Sequence, residues 1–267
     1  MAACSCVDAC VETVRLLLEA GADPTLATAG GFTPMHVITQ RGHTELVGML
    51  HSNSPDTINT PNPRGETPLF MACCHGHASV VSRLLSLGAI RPEDHNLCPL
   101  AIAVRKGFLG VVRVLVNEGM EAVGVKKALH DALYISARFC QGRILRLLLG
   151  VGGEKRFALA YSGYAGKRLI HIGAGVCCPA VVSVLLNAGA RETERDLKEG
   201  RVPRDFIGVD DGLDDGDCQI DRGKEIAVRR MLERGPAYRA RSWVWPYGDE
   251  EADAGVGGDR DPTGGGG

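Results

Sequence analysis

Aromatic residues supply only 5% of this 267-residue chain, two Trp among them. Any core must therefore be assembled mainly from Leu, Val and Ala. Long hydrophobic runs are missing too: nothing approaches the roughly 18–20 apolar residues that cross a bilayer as a helix. The opening segment MAACSCVDACVETV has no basic stretch ahead of an apolar one, so it does not read as a secretory signal. Charge of one sign is also lacking, with 30 Lys and Arg against 32 Asp and Glu. That chain-wide balance speaks against a nucleic-acid binder and against a polyacidic protein. What remains is the expectation of a soluble intracellular protein, in which the ten Cys residues are expected to be reduced rather than paired.

Signatures of catalysis and cofactor binding are absent as well. No GxSxG, HExxH or dinucleotide-binding fingerprint occurs. GYAGKR at Gly163 to Arg168 has a Gly-Lys pair, but neither the four-residue spacer nor the following Ser or Thr of a P-loop. Cys73, Cys74, His75 and His77 resemble metal ligands, as do Cys4, Cys6 and Cys10, yet no second pair completes a zinc set. The acidic stretch Asp210 to Asp217 fits no register of a calcium loop, so it reads as a solvated acidic loop. Neither an enzyme nor a bound cofactor or metal is expected.

The chain does contain an internal period. VETVRLLLEAGADP (from Val11), ASVVSRLLSLGAIRP (from Ala78), GVVRVLVNEGM (from Gly110) and PAVVSVLLNAGAR (from Pro179) each pair apolar residues at helical spacing before a Gly. Weaker copies begin at Thr44, Gly142 and Glu225. The paired positions Leu17/Leu18, Leu50/His51, Leu84/Leu85, Leu115/Val116, Leu148/Leu149, Leu185/Leu186 and Met231/Leu232 recur at 33, 34, 31, 33, 37 and 46 residues. A second register through Pro34, Pro68, Pro99, Ala132, Leu169 and Pro203 gives 34, 31, 33, 37 and 34. A period of this size marks a stacked repeat array.

GFTPMH at Gly31 and GETPLF at Gly65 resemble the opening of the ankyrin repeat, RGH and HGH ending at His43 and His77 its inter-helix turn, and Gly21 to Asp23 its closing. The resemblance implies an all-α solenoid over residues 1–235, in about seven helix-turn-helix units with short β-hairpin fingers. The units lie near 1–24, 25–58, 59–92, 93–123, 124–160, 161–195 and 196–235. Thr33 and Thr67 are placed to cap the first helices, with Pro34 and Pro68 in the first turn. Gly88 and Gly189 suit the left-handed backbone that ends the second helices. Unit 1 lacks its leading hairpin although both its helices are expected, the first rich in Ala and Cys, so a truncated start is expected. Unit 7 carries an acidic insertion, 209–223. Residues 236–267 form a terminal cap segment, with Trp243 and Trp245 over the exposed apolar end or serving as a docking motif, and a disordered acidic, Gly-rich tail.

Charge is segregated along the chain. Residues 205–217 hold six acids and no base, and 249–261 hold six acids and one base. Removing both leaves 29 bases against 20 acids, so the body carries about +9. The resemblance implies that partners bind the concave face, at finger tips and first-helix ends. Carried over, those positions include Arg41, Arg64, His75, Arg105, Lys106, Arg138, Phe139 and Lys167, with Phe32 and Phe139 as apolar anchors. The expected function is a non-catalytic scaffold that captures another protein through an acidic segment, as a monomer in the cytoplasm or nucleus. The insertion or tail could compete for the same groove. The alternatives are nucleic-acid or phosphoinositide binding through the basic stripe, with nucleic acid the less expected partner, or a targeting fragment of a larger protein.

Overall fold

The structure, a computed structural model, describes residues 7–90, 98–118, 125–150, 169–191, 202–207 and 222–234. These residues form twelve α-helices: α1 (Val7–Glu19), α2 (Pro34–Arg41), α3 (Thr44–Asn53), α4 (Pro68–His75), α5 (Ala78–Ser86), α6 (Pro99–Lys106), α7 (Leu109–Asn117), α8 (Val125–Arg138), α9 (Gly142–Gly150), α10 (Leu169–Gly175), α11 (Pro179–Ala188) and α12 (Arg222–Arg234). Short 3-10 turns cover Pro55–Asn59 and Pro203–Phe206. The acidic insertion up to residue 221, the cap segment and the tail lie outside the described residues.

Each unit opens and closes on its own chemistry. Thr67 is extended, its hydroxyl accepts the Phe70 N–H at 3.2 Å, and Pro68 follows where no helical donor is lost. In the preceding unit the reciprocal contact is made by a side chain. The Thr33 hydroxyl and N–H reach His36 Nδ1 at 2.8 and 3.2 Å, while His36 Nε2–H donates to the Glu66 carbonyl at 3.1 Å. That ring therefore ties one finger to the next.

Helices pair within a unit and stack between units. One row runs α2, α4, α6, α8, α10, and the turn at Pro203–Phe206 continues it. The other runs α1, α3, α5, α7, α9, α11, α12. Between them lies one continuous core, and the recurring positions Leu50, Leu84, Leu115, Leu148, Leu185 and Met231 are all buried in it. Small Ala72, Cys73 and Ala103 are fully buried where the rows approach closely. Truncating one of these core leucines to Ala would cost about 2–5 kcal/mol.

Four expectations are modified. Among the described residues no β-strand forms: the fingers at 28–32 and 62–66 are turns, closed by Thr28 N–H to Phe32 O and Asn62 N–H to Glu66 O, each at 3.0 Å. Each finger adds only a turn bond, Gly31 N–H to Thr28 O or Gly65 N–H to Asn62 O at 2.8 Å, and no further ladder bond follows among the described residues. The expected break between two helices in unit 1 is not seen within 7–19, where α1 is continuous. Those residues include no Gly to supply a left-handed turn. Leu17, equivalent to the fully buried Leu84, is 48% exposed, because among the described residues no first helix packs over α1. Finally, Cys140 and Cys178 are not reduced thiols but a disulfide. Their sequence separation of 38 is one local period of 37 plus one position, which sets them on facing turns of successive units. Closing such a loop stabilises the fold by roughly 2–4 kcal/mol.

Two stability tests follow from this geometry. Gly76 and Gly88 both have positive φ, +83° and +89°, but a Cβ on Gly76 would sit 2.9 Å from the Phe108 ring while Gly88 faces no described atom within 4 Å. Gly88→Ala should cost about 1 kcal/mol for backbone strain, and Gly76→Ala about 1–3 kcal/mol more for the clash, read from urea midpoints. The second test is pH. Burial holds the His36 pKa below its ordinary value, so below about pH 6.5 the unfolded chain takes up a proton that the folded chain refuses. Stability should fall as pH drops from 7.5 toward 5.5, and His36→Gln should flatten part of that fall.

Candidate partner-binding face

The first-helix row sets its ends in register. Arg41, His75 and Lys106 are the last residues of α2, α4 and α6, each followed by a glycine; Phe139 is followed by Cys140 in the same place. One residue earlier stand Gln40, Cys74, Arg105 and Arg138. Arg41, His75, Arg105 and Lys106 are exposed, while Arg138 and Phe139 are half-buried. Lys167 lies outside the described residues.

Charge differs between the two rows. The first-helix row carries Arg41, Arg105, Lys106, Lys126, Lys127 and Arg138 against the single acid Asp131. In the second row Asp8, Glu12, Glu19, Glu45, Glu225 and Glu233 are mixed with ten bases. Exposed ion pairs such as Arg15–Glu12 and Arg229–Glu225 lie on this second row.

Neighbouring ends touch. The Arg105 guanidinium lies 5.4 Å from the centre of the Phe139 ring, joining the ends of α6 and α8. The Gln40 amide donates to His75 Nε2 at 3.4 Å, His75 Nδ1–H donates to its own Met71 carbonyl at 2.8 Å, and His77 Nε2–H donates to the Gln40 carbonyl at 2.9 Å. The His75 and His77 rings lie parallel with centroids 6.5 Å apart. Both ring nitrogens of His75 thus have partners within the scaffold.

Arg64 sits apart from the row, exposed on its finger. There the Asn62 side-chain oxygen accepts the Arg64 and Glu66 N–H groups at 2.9 and 3.0 Å, and its amide donates to the Glu66 carboxylate at 2.7 Å. Phe32 is half-buried edge-on against His36, with centroids 6.0 Å apart, so much of its apolar surface is already used. Cys73 is core packing, and among the described residues no group of three His, Cys, Asp or Glu side chains converges as metal ligands would.

Comparison with known proteins fits this architecture. The family model for ankyrin repeats (3 copies) matches residues 1–92 and 48–126. The B-cell lymphoma 3 protein homolog of Mus musculus is 28% identical over 145 residues, 52% of this chain and 32% of that protein. NF-kappa-B inhibitor alpha of Sus scrofa is 38% identical over 85 residues, 29% of this chain and 26% of that protein. The chain therefore spans about a third of the length of the B-cell lymphoma 3 proteins it matches. Among solved structures, the human ASB11 ankyrin repeat domain superposes with a TM-score of 0.61 at 21% identity, covering 82% of this chain and 92% of that one. The Bcl-3 ankyrin repeat domain gives 0.59 at 18%, covering 84% and 93%. Residues 1–126 match the ankyrin-repeat model, and the described residues form an all-α repeat solenoid of the ankyrin fold.

Sequence reasoning found the positions of the basic residues but missed their partners. The Arg105–Phe139 contact joins residues 34 apart in the chain, one repeat period plus one position, and that offset could have pointed to it. An exposed cation–aromatic contact is worth about 0.5–1 kcal/mol. Arg105→Gln should therefore lower the unfolding free energy by no more than about 1 kcal/mol and leave the helical circular dichroism unchanged.

Proposed function

We propose that this ankyrin array binds an acidic segment of another protein along the ends of its first helices, without catalysing a reaction. The observation that carries the proposal is the charge of that row, six bases against one acid. The exposed cations Arg41, Arg105 and Lys106 raise the encounter rate with an acidic chain and disfavour basic ones. Affinity then comes from desolvated contacts near the middle of the row, where the half-buried Phe139 beside Arg105 supplies an apolar anchor. Arg41, His75, Lys106 and Arg138 flank that anchor, while Arg64 extends the surface on its finger; Lys167, outside the described residues, belongs to the same proposed set. The proposed array comprises seven units over residues 1–235, acts as a monomer and meets its partner inside the cell.

The test is fluorescence anisotropy with a labelled peptide that alternates Glu or Asp with Phe, titrated against the full chain. Arg105→Glu/Arg138→Glu should weaken binding at least about tenfold, and raising salt should weaken the wild type more than the variant. Equal affinities for the two proteins would overturn the proposed face. Tighter binding to duplex DNA or to phosphoinositide vesicles than to the peptide would overturn the proposed partner.

A further inference from the structure

The turn between first and second helices recurs in one register: Gly42-His43, Gly76-His77, Gly107-Phe108, Cys140-Gln141 and Cys177-Cys178. The three glycines have φ between +81° and +84°, and Cys140 and Cys177 share the sign at 60° and 53°. Side chains rarely adopt that backbone, and no other non-glycine described residue does so.

Stacking gives this register a fixed partner. A Cβ on Gly42 would come within 2.7 Å of the His77 ring in the next turn, on Gly76 within 2.9 Å of Phe108, and on Gly107 within 2.9 Å of Gln141. At three successive joints the left-handed residue of one turn thus faces the second residue of the following turn, with no room for a Cβ. The same rule sets Cys140 against Cys178. Of these four joints, only this one has a left-handed residue with a Cβ; the facing residue is the small Cys178, and the two sulfurs are bonded with the Cα atoms 5.7 Å apart. Cys140 is exposed, whereas Cys178 is 1% exposed.

We propose that Cys140–Cys178 is a reversible thiol–disulfide site, acted on by small dithiols, that locks the joint between the α8/α9 and α10/α11 pairs when oxidised and loosens it when reduced. One thiolate of the dithiol attacks the exposed Cys140 sulfur, the protein S–S bond breaks, and Cys178 leaves as a thiolate that takes a proton. The second thiol of the reagent then attacks the mixed disulfide and releases the Cys140 thiol. Two electrons pass to the protein, and the dithiol becomes a cyclic disulfide. After reduction, Cys140 keeps its unfavourable backbone and its Cβ in the closest part of the joint. Neither the turn glycine nor a ring such as His77, whose Nε2–H reaches back to the Gln40 carbonyl at 2.9 Å, is present to hold it.

The experiment is hydrogen–deuterium exchange of the full oxidised chain, with and without dithiothreitol. Reduction should speed exchange of the α10 and α11 amides at least about tenfold while leaving α2 to α5 unchanged. Cys140→Gly/Cys178→His, which rebuilds the joint seen at Gly42 and His77, should exchange slowly and ignore the reductant. Cys177→Ser should respond as the wild type does. Should the double variant fail to fold, Cys140→Gly alone carries the same test, since it too should ignore dithiothreitol. The proposal is overturned if the wild type exchanges equally in both redox states, if non-reducing peptide mapping finds no Cys140–Cys178 link, or if a variant without Cys140 still responds.

Discussion

Each helix pair buries its Leu and Val side chains only by lying against the next pair, and this need for a neighbour shapes the rest of the molecule. It aligns Leu50, Leu84, Leu115, Leu148, Leu185 and Met231 into one core. It sets α2, α4, α6, α8 and α10 side by side, so that residues one period apart meet at their ends. It also makes the inter-helix turn tight, so that a single Cβ on Gly42, Gly76 or Gly107 is enough to cause a clash. At α1, over which no described first helix packs, Leu17 stays 48% exposed.

Much of this was legible in the sequence because the period, the Thr-Pro openings and the helix-ending glycines are local signals. Pro34, Pro68, Pro99 and Pro179 open helices as their spacing implies, and Gly42, Gly76 and Gly107 end them. The misreadings have a common cause. The finger turns, the continuous α1 and the exposure of Leu17 depend on what packs against a segment, which a period does not state. The paired Cys140 and Cys178 depend on one turn facing another across the stack. The Arg105–Phe139 contact and the engaged ring of His75 belong to that same class of cross-unit contact, read only once the units are laid side by side.

The basic residues have a different physical status from the core. Arg41, Arg105 and Lys106 lie exposed at the helix ends and contribute nothing to the apolar core. A balanced chain-wide charge conceals this, because two acidic stretches offset a basic body. Resolved by helix row, the first row carries six bases against one acid, while the second row mixes ten bases with six acids. In the proposed reading the stack fixes the spacing and the row ends select a partner.

The central claim is that recognition runs along the first-helix ends. Backbone hydrogen–deuterium exchange of the full chain, free and saturated with an acidic, Phe-containing peptide, tests it most directly. The account predicts slowed exchange around residues 40–43, 74–77, 105–108 and 138–141, with α3, α5, α7 and α9 unchanged. Protection confined to the second helices would contradict it.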